Sequence, residues 1–269
     1  MKRTLALILA LLLTLSLLAG CGGEKTPGTK EPEETVETTE STTEPSKPED
    51  DDSVVVPETT EPSVPETSAP EDVPDAPVVQ ERPLTLGVVE GNTYVNTYTG
   101  YGCTLDANWA VMPADQLQEL PDQVKNAVAG TEIGDAMQDI QQFTDMMAEN
   151  TGEFMSMNVM LQKVSAEEKL MYMALSDEEI LDVVLTQKDL MIEAYTAMGM
   201  NVSSLEKVTV TFLGEERYAL KTVADMQGVA CYMLQIFDYS RGEYSVTLTL
   251  SSYQEDKTDA MLELFYAVE

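Results

Sequence analysis

Val208-Thr209-Val210-Thr211-Phe212 and Tyr244-Ser245-Val246-Thr247-Leu248-Thr249-Leu250 are two runs in which apolar and mostly hydroxyl-bearing residues alternate one for one. A period of two is the pattern of a strand that turns one face to a core and the other to water. Between the runs, Gly214 supplies a turn, and Tyr218, Leu220 and Val223 continue on a second strand. Gly228 then breaks the chain ahead of a third strand over residues 229–239, and Ser240-Arg241-Gly242-Glu243 makes a tight connection to the fourth. These four segments read as an antiparallel meander. A closing helix is expected over residues 255–267, with Met261, Leu262, Phe265 and Val268 placed to cover one sheet face.

Working upstream, Ser176-Asp177-Glu178-Glu179 matches a capping box, in which the Ser176 hydroxyl accepts from the Glu179 amide. Ile180, Val184, Met191, Tyr195 and Met198 recur at helical spacing after it, so the pattern predicts one long amphipathic helix that stops at Gly199. Residues 143–149 and 154–164 read as a hairpin turned at Asn150-Thr151-Gly152. Residues 113–128 read as helical, with Pro121 at a first-turn position. Strands are expected near residues 84–89, 93–98 and 102–105. The order is strands, helix, hairpin, long helix, meander, helix, which predicts an α+β fold: an antiparallel β-sheet flanked by helices.

Tyr94-Val95-Asn96-Thr97-Tyr98-Thr99-Gly100-Tyr101-Gly102-Cys103-Thr104-Leu105 runs on through Asp106 to Trp109 as an aromatic, an Asn, a Gly-aromatic pair and a Leu-x-x-x-Trp corner. That stretch resembles the opening of PsbP-like domains, and the order of meander and closing helix is similar over most of residues 92–269. The resemblance implies an α/β/α sandwich. It implies little about activity, since PsbP-like proteins with known roles are mostly non-enzymatic binders, among them an extrinsic subunit of photosystem II and a partner of the Ran GTPase. No binding residue carries over, and fold alone is weak warrant for function.

The chain begins differently. Lys2 and Arg3 precede an apolar run over residues 4–18, the pattern of a secretion signal, which is too short for a durable transmembrane span. Leu18-Ala19-Gly20-Cys21 resembles a bacterial lipobox, so residues 1–20 read as a lipoprotein signal peptide and Cys21 as the lipidated mature N-terminus. Two or three acyl chains at ~0.8 kcal/mol per buried CH₂ anchor a protein stably. The expected location is the outer face of the cell membrane, lipid-anchored, in a bacterium of Gram-positive type.

From Cys21 to residue 83 the composition excludes a core. Eleven of the 13 prolines lie between Pro27 and Pro83, and no aromatic residue precedes Tyr94. Residues 24–82 carry 18 acidic and 4 basic side chains, net −14, which together with proline favours an extended spacer. About sixty residues at ~3.3 Å each reach on the order of 200 Å. Asp50-Asp51-Asp52 lacks the spaced ligands and glycine turn of a calcium loop, and the Thr/Ser-rich run 38–43 suits O-glycosylation or plain solvation. Residues 84–269 are left as one globular domain with 30 acidic and 9 basic residues, net −21.

Charge and composition also narrow the function. A formal charge of −33 excludes nucleic acid as a partner, because binding there depends on Lys and Arg neutralising phosphates. The absence of histidine excludes Ser/His/Asp and Cys/His catalysis and His-ligated metals. Cys103 and Cys231 are a possible disulfide or two buried thiols, the bridge contributing on the order of 4 kcal/mol if their Cα atoms lie within ~7 Å. Fifteen of 16 methionines lie in the domain, including Met155, Met157, Met160, Met171 and Met173. They fit core filling on strand faces, a Met-rich partner groove or a Cu(I) site, in descending order. Trp109 reads as a core plug. The pairs Glu167-Glu168, Glu178-Glu179 and Glu215-Glu216 read as solvated faces, and Gly100-Tyr101-Gly102 lacks the third glycine of a phosphate loop. The expectation is a non-enzymatic module without cofactor that binds an envelope or extracellular protein, with a small-ligand or metal-ion module as the alternative.

Overall fold

The computed structural model describes residues 84–268, apart from 138–139 and 240–241. Three short strands open the domain, β1 (Val88–Glu90), β2 (Thr93–Asn96) and β3 (Tyr101–Thr104), followed by β4 (Ala110–Val111). Helices α1 (Ala114–Leu117), α2 (Leu120–Ala127, with Pro121 in its first turn) and α3 (Glu132–Met137) lead to the hairpin of β5 (Gln142–Asn150) and β6 (Met155–Lys163). Three further helices, α4 (Ala166–Met173), α5 (Asp177–Leu185) and α6 (Lys188–Ala197), precede the meander of β7 (Met200–Phe212), β8 (Glu215–Met226), β9 (Val229–Asp238) and β10 (Tyr244–Tyr253). A short α7 (Thr258–Leu262) and strand β11 (Phe265–Ala267) close it.

Seven strands form an antiparallel sheet in the order β4-β5-β6-β10-β9-β8-β7. The meander forms as the alternation predicts. Its first turn has two residues, Leu213 and Gly214, with φ of 55° and 83° between the paired Phe212 and Glu215. Two positive φ values define the primed turn whose twist matches a hairpin, and glycine accepts the second at no steric cost. The β5–β6 hairpin joins the meander through β10, with Val246 opposite Leu161, Leu248 opposite Val159 and Leu250 opposite Met157. Burying each such side chain contributes ~1.5–3 kcal/mol.

The larger sheet is a middle layer. On one face Leu161, Leu234, Ile236, Val246 and Leu248 pack against Tyr94, Tyr101 and Cys103 of a four-stranded antiparallel sheet, ordered β1-β2-β3-β11, against Tyr98 in its β2–β3 turn, and against Met261 and Leu262 of α7. On the other, Leu220, Cys231, Met233 and Phe237 meet Val124 of α2, Ile180 and Val184 of α5, and Met191 and Tyr195 of α6. The protein is therefore α+β, an antiparallel sheet flanked by helices. Since both faces are covered, the hydroxyl set of β10 does not reach water as a half-buried strand would. Ser245, Thr247 and Thr249 lie at 0–1% exposure, in line with Asn158 and Gln162 of β6 and Gln235 of β9, a polar band beneath the helices.

Four local expectations are corrected. The single helix from Ser176 to Gly199 is two, because Thr186 turns its hydroxyl back to the Val183 carbonyl at 2.6 Å and Gln187 leaves the helical region at φ −105°, ψ 19°. Residues 165–175, which carry no element in the sequence reading, hold α4, whose Ser165–Glu168 capping box repeats that of Ser176–Glu179. The closing helix ends at Leu262, and Phe265–Ala267 pair with β3 instead, aromatic residues favouring a pleated surface. The strand β7 begins at Met200, and a bulge between Val202 and Ser204 reverses which side chains face which layer. Leu205 thus lies with the helices, while Val208, Val210 and Phe212 lie with the small sheet.

Candidate functional site

The motif around Asn96 holds the two sheets together. A bulge in β5 between Thr144 and Met146 turns Asp145 toward the small sheet, where it is 7% exposed. Its carboxylate accepts from the Tyr94 hydroxyl at 2.6 Å, from Asn96 Nδ2 at 2.7 Å and from the Gly87 amide at 2.8 Å and 3.1 Å. Asn96 Oδ1 in turn accepts from the amides of Tyr98 at 2.6 Å and Thr99 at 3.2 Å, an Asx turn. The Tyr98 hydroxyl donates to the Tyr244 carbonyl at 3.0 Å and accepts from its amide at 3.1 Å. Burial first, and the charge of Asp145 next, push the Tyr94 phenol above its ordinary range. These contacts lock the layers, and every group in them is occupied by another part of the chain.

An open cleft of about 640 Å³ lies where the small sheet leaves the large one. One wall is Thr209, Val210 and Thr211 of β7, and the other is Phe265, Tyr266 and Ala267 of β11. Both are the outermost strands of their sheets. Side chains along a strand alternate between faces, so a surface that takes in consecutive residues from each strand is the strand edge, where main-chain N–H and C=O groups are presented. Asp259 and Leu262 of α7 and Glu263, the residue that follows it, complete the lining together with Leu213 and Gly214 of the β7–β8 turn. Among the described residues the lining holds two carboxylates and no basic side chain.

The local sequence explains this placement. Leu262 and Phe265 are buried in the core beneath, and Phe265 packs edge-on against Phe212 at 5.8 Å and against Tyr101 at 5.7 Å, which brings β11 beside the end of β7. Tyr266, opposite Gly102 on β3, is 40% exposed, and a Cβ at Gly102 would stand 3.2 Å from the Tyr266 ring and 2.5 Å from the Tyr94 carbonyl oxygen. Glycine at 102 thus admits the close approach of the β2 backbone and leaves room for the Tyr266 ring above it. The cations of β7 and β8 are drawn elsewhere: Lys207 to Glu178 at 3.0 Å and Asp182 at 2.6 Å on α5, Arg217 to Asp177 at 2.9 Å, and Lys221 to Asp256 at 2.6 Å.

The residues singled out from sequence scatter. Cys21, the lipobox, the acidic proline-rich segment and its Asp50-Asp51-Asp52 lie outside the described residues. Cys103 and Cys231 are free thiols in different cores on opposite sides of the large sheet, so the alternative of a bridge between them drops out. Burial raises each thiol to about 12. Trp109 is 6% exposed in the core shared with the small sheet. Met155 and Met157 pack in that core, and Met160 is buried, whereas Met173 is 47% exposed on α4. Of the carboxylate pairs, Glu168 and Glu179 close capping boxes, Glu178 meets Lys207, and Glu215 and Glu216 are exposed beside the β7–β8 turn. Gly102 lies in a strand.

The sequence reading missed the cleft residues, because which strand ends a sheet is a property of strand order. The available signal was the run 208–212, β-prone and uncharged. Among the described residues no group of three or more His, Cys, Asp or Glu side chains is placed to hold a metal ion. No family model matches this chain, and no curated protein does.

Proposed function

We propose that the chain is a lipid-anchored protein of the bacterial cell surface whose folded part binds another protein and catalyses no reaction, extended from the membrane on the acidic segment 21–83. One observation supports this reading above the others: the cleft is bordered by two outermost strands whose main-chain edges face it, a surface suited to main-chain pairing with a protein segment. The PsbP-like resemblance belongs to the same proposal, its precedents with known roles being mostly non-enzymatic binders. A volume of 640 Å³ also suits a small molecule, which is the competing reading.

Photo-crosslinking on intact cells tests the proposal. A benzophenone side chain at position 211, in the cleft, or at 188, on the helical face, should trap a discrete protein adduct from at least one position. Absence of adducts from both, together with a saturable thermal shift on adding one metabolite, would give the competing reading, since a ligand at 100 times its dissociation constant adds ~2.7 kcal/mol.

A further inference from the structure

The geometry points to an extended, cationic segment of another protein as the occupant of the cleft, added as a strand along residues 208–212 of β7; this rests on the protein-binding reading above. Proteins that keep an edge strand exposed usually blunt it with lysine, proline, a bulge or a covering element. The first half of β7 is blunted in this way, by the bulge at residues 202–204 and by Lys207 tied to α5. The second half, Val208-Thr209-Val210-Thr211-Phe212, has no charge, no proline and no bulge, and it is the half that borders the cleft. Left open, so β-prone a run is a template for an incoming strand. Five residues at ~3.3 Å each give a docking length of about 17 Å.

The charge around the cleft selects the occupant. Asp259 and Glu263 stand in the lining, Glu206 precedes the run, and Glu215 and Glu216 follow its turn. Tyr266 adds a half-exposed ring over which a Lys or Arg side chain can lie. An added strand therefore pairs main chain to main chain with β7, with cationic side chains on the face that carries α7, Asp259 and Glu263, and apolar ones on the opposite face, beside Thr209 and Thr211. The chain's own Val54-Val55-Val56 sits in a stretch of net charge −14, and a second copy would bring the same carboxylates face to face, so neither matches the rim.

The test uses the full chain and three octapeptide probes: four Lys-Val repeats, the same sequence N-methylated at alternate residues, and four Glu-Val repeats. The first should bind saturably by fluorescence anisotropy. Its affinity should fall about tenfold between 50 and 300 mM salt and about tenfold in the exposed double variant Asp259→Lys/Glu263→Lys. It should slow amide exchange in residues 208–212. The N-methylated probe carries the same charge but lacks alternate main-chain donors, and should bind at least tenfold more weakly, as should the Glu-Val probe. Equal binding of the N-methylated probe, or slowed exchange confined to another surface, would overturn the cleft assignment. Protein adducts from position 188 would then keep the protein-binding reading alive, and their absence from both positions would end both. Protection, in the free chain, of those amides of residues 208–212 that point away from β8 would also overturn it, assigning the edge to a second copy if it rises with concentration and to the acidic segment if it does not.

Discussion

Asp145→Ala should cost the domain about 3 kcal/mol. The substitution removes an acceptor from three donors, two of which, on Tyr94 and Asn96, belong to residues 1% exposed. A buried donor left without a partner costs ~1–3 kcal/mol, and hydrogen bonds to a charged acceptor contribute ~1.5–3 kcal/mol each. Against this stands the recovered cost of holding a carboxylate at 7% exposure with donors but no cation among its hydrogen-bond partners, which brings the net toward the lower end of the sum. At ~2–4 °C per kcal/mol for a domain of this size, the melting temperature should fall by about 6–12 °C. Urea titration of both proteins supplies the free energies. Tyr94→Phe removes one of the three donors and should cost about 1 kcal/mol alone, but much less in the Asp145→Ala background. A double-mutant coupling of about 1 kcal/mol is therefore expected. A loss below 1 kcal/mol for Asp145→Ala, or additive single effects, would refute the idea that this carboxylate locks the two sheets.

Other outcomes follow from the same structure. Burial pushes the Glu149 carboxyl above its ordinary 4.5, and among the described residues its Oε1 accepts no hydrogen bond. A carboxyl whose folded value is raised favours the fold when protonated and penalises it as pH rises through 4.5 and beyond, so Glu149→Gln should melt above the parent at pH 7 and converge with it below pH 4.5. Cys103 and Cys231, held near 12 against an ordinary value near 8.5, should react with iodoacetamide at pH 8 roughly 10³-fold more slowly than a free thiol, and both should label fully in urea without reductant. A bridge would leave them unlabelled until reduced. Cys21→Ser should move the protein from the membrane fraction to the medium, and retention at the membrane would remove the lipid anchor from the proposal.

The parts legible in sequence are those that local chemistry dictates. Alternation in Val246, Leu248 and Leu250 and the glycine turns fixed the meander, and Ser176 with Glu179 located a helix start to the residue. Asn96 stood out as part of a motif, but its work, gathering two backbone amides while donating to a carboxylate 49 residues away, is visible only once β5 bulges at Asp145. The polar face of β10 resembles a solvated face because serine and threonine satisfy either situation. Only the helices packed over it show that it is interior. Phe265 and Tyr266 continue an apolar helical spacing, and their pairing with β3 is a long-range choice that no local period records. The cleft depends on two strand orders at once, so it had no compact signature beyond the uncharged run at 208–212.

Amide hydrogen exchange of the free full chain, read residue by residue, addresses the openness of β7 directly. In residues 208–212, the amides directed away from β8 should exchange on the order of 100-fold faster than the interior amides of β9 and β10, because they have no main-chain partner in the sheet. Uniform protection of β7 at the level of β9 would mean that its edge is already covered, and the cleft would then be no place for a partner strand.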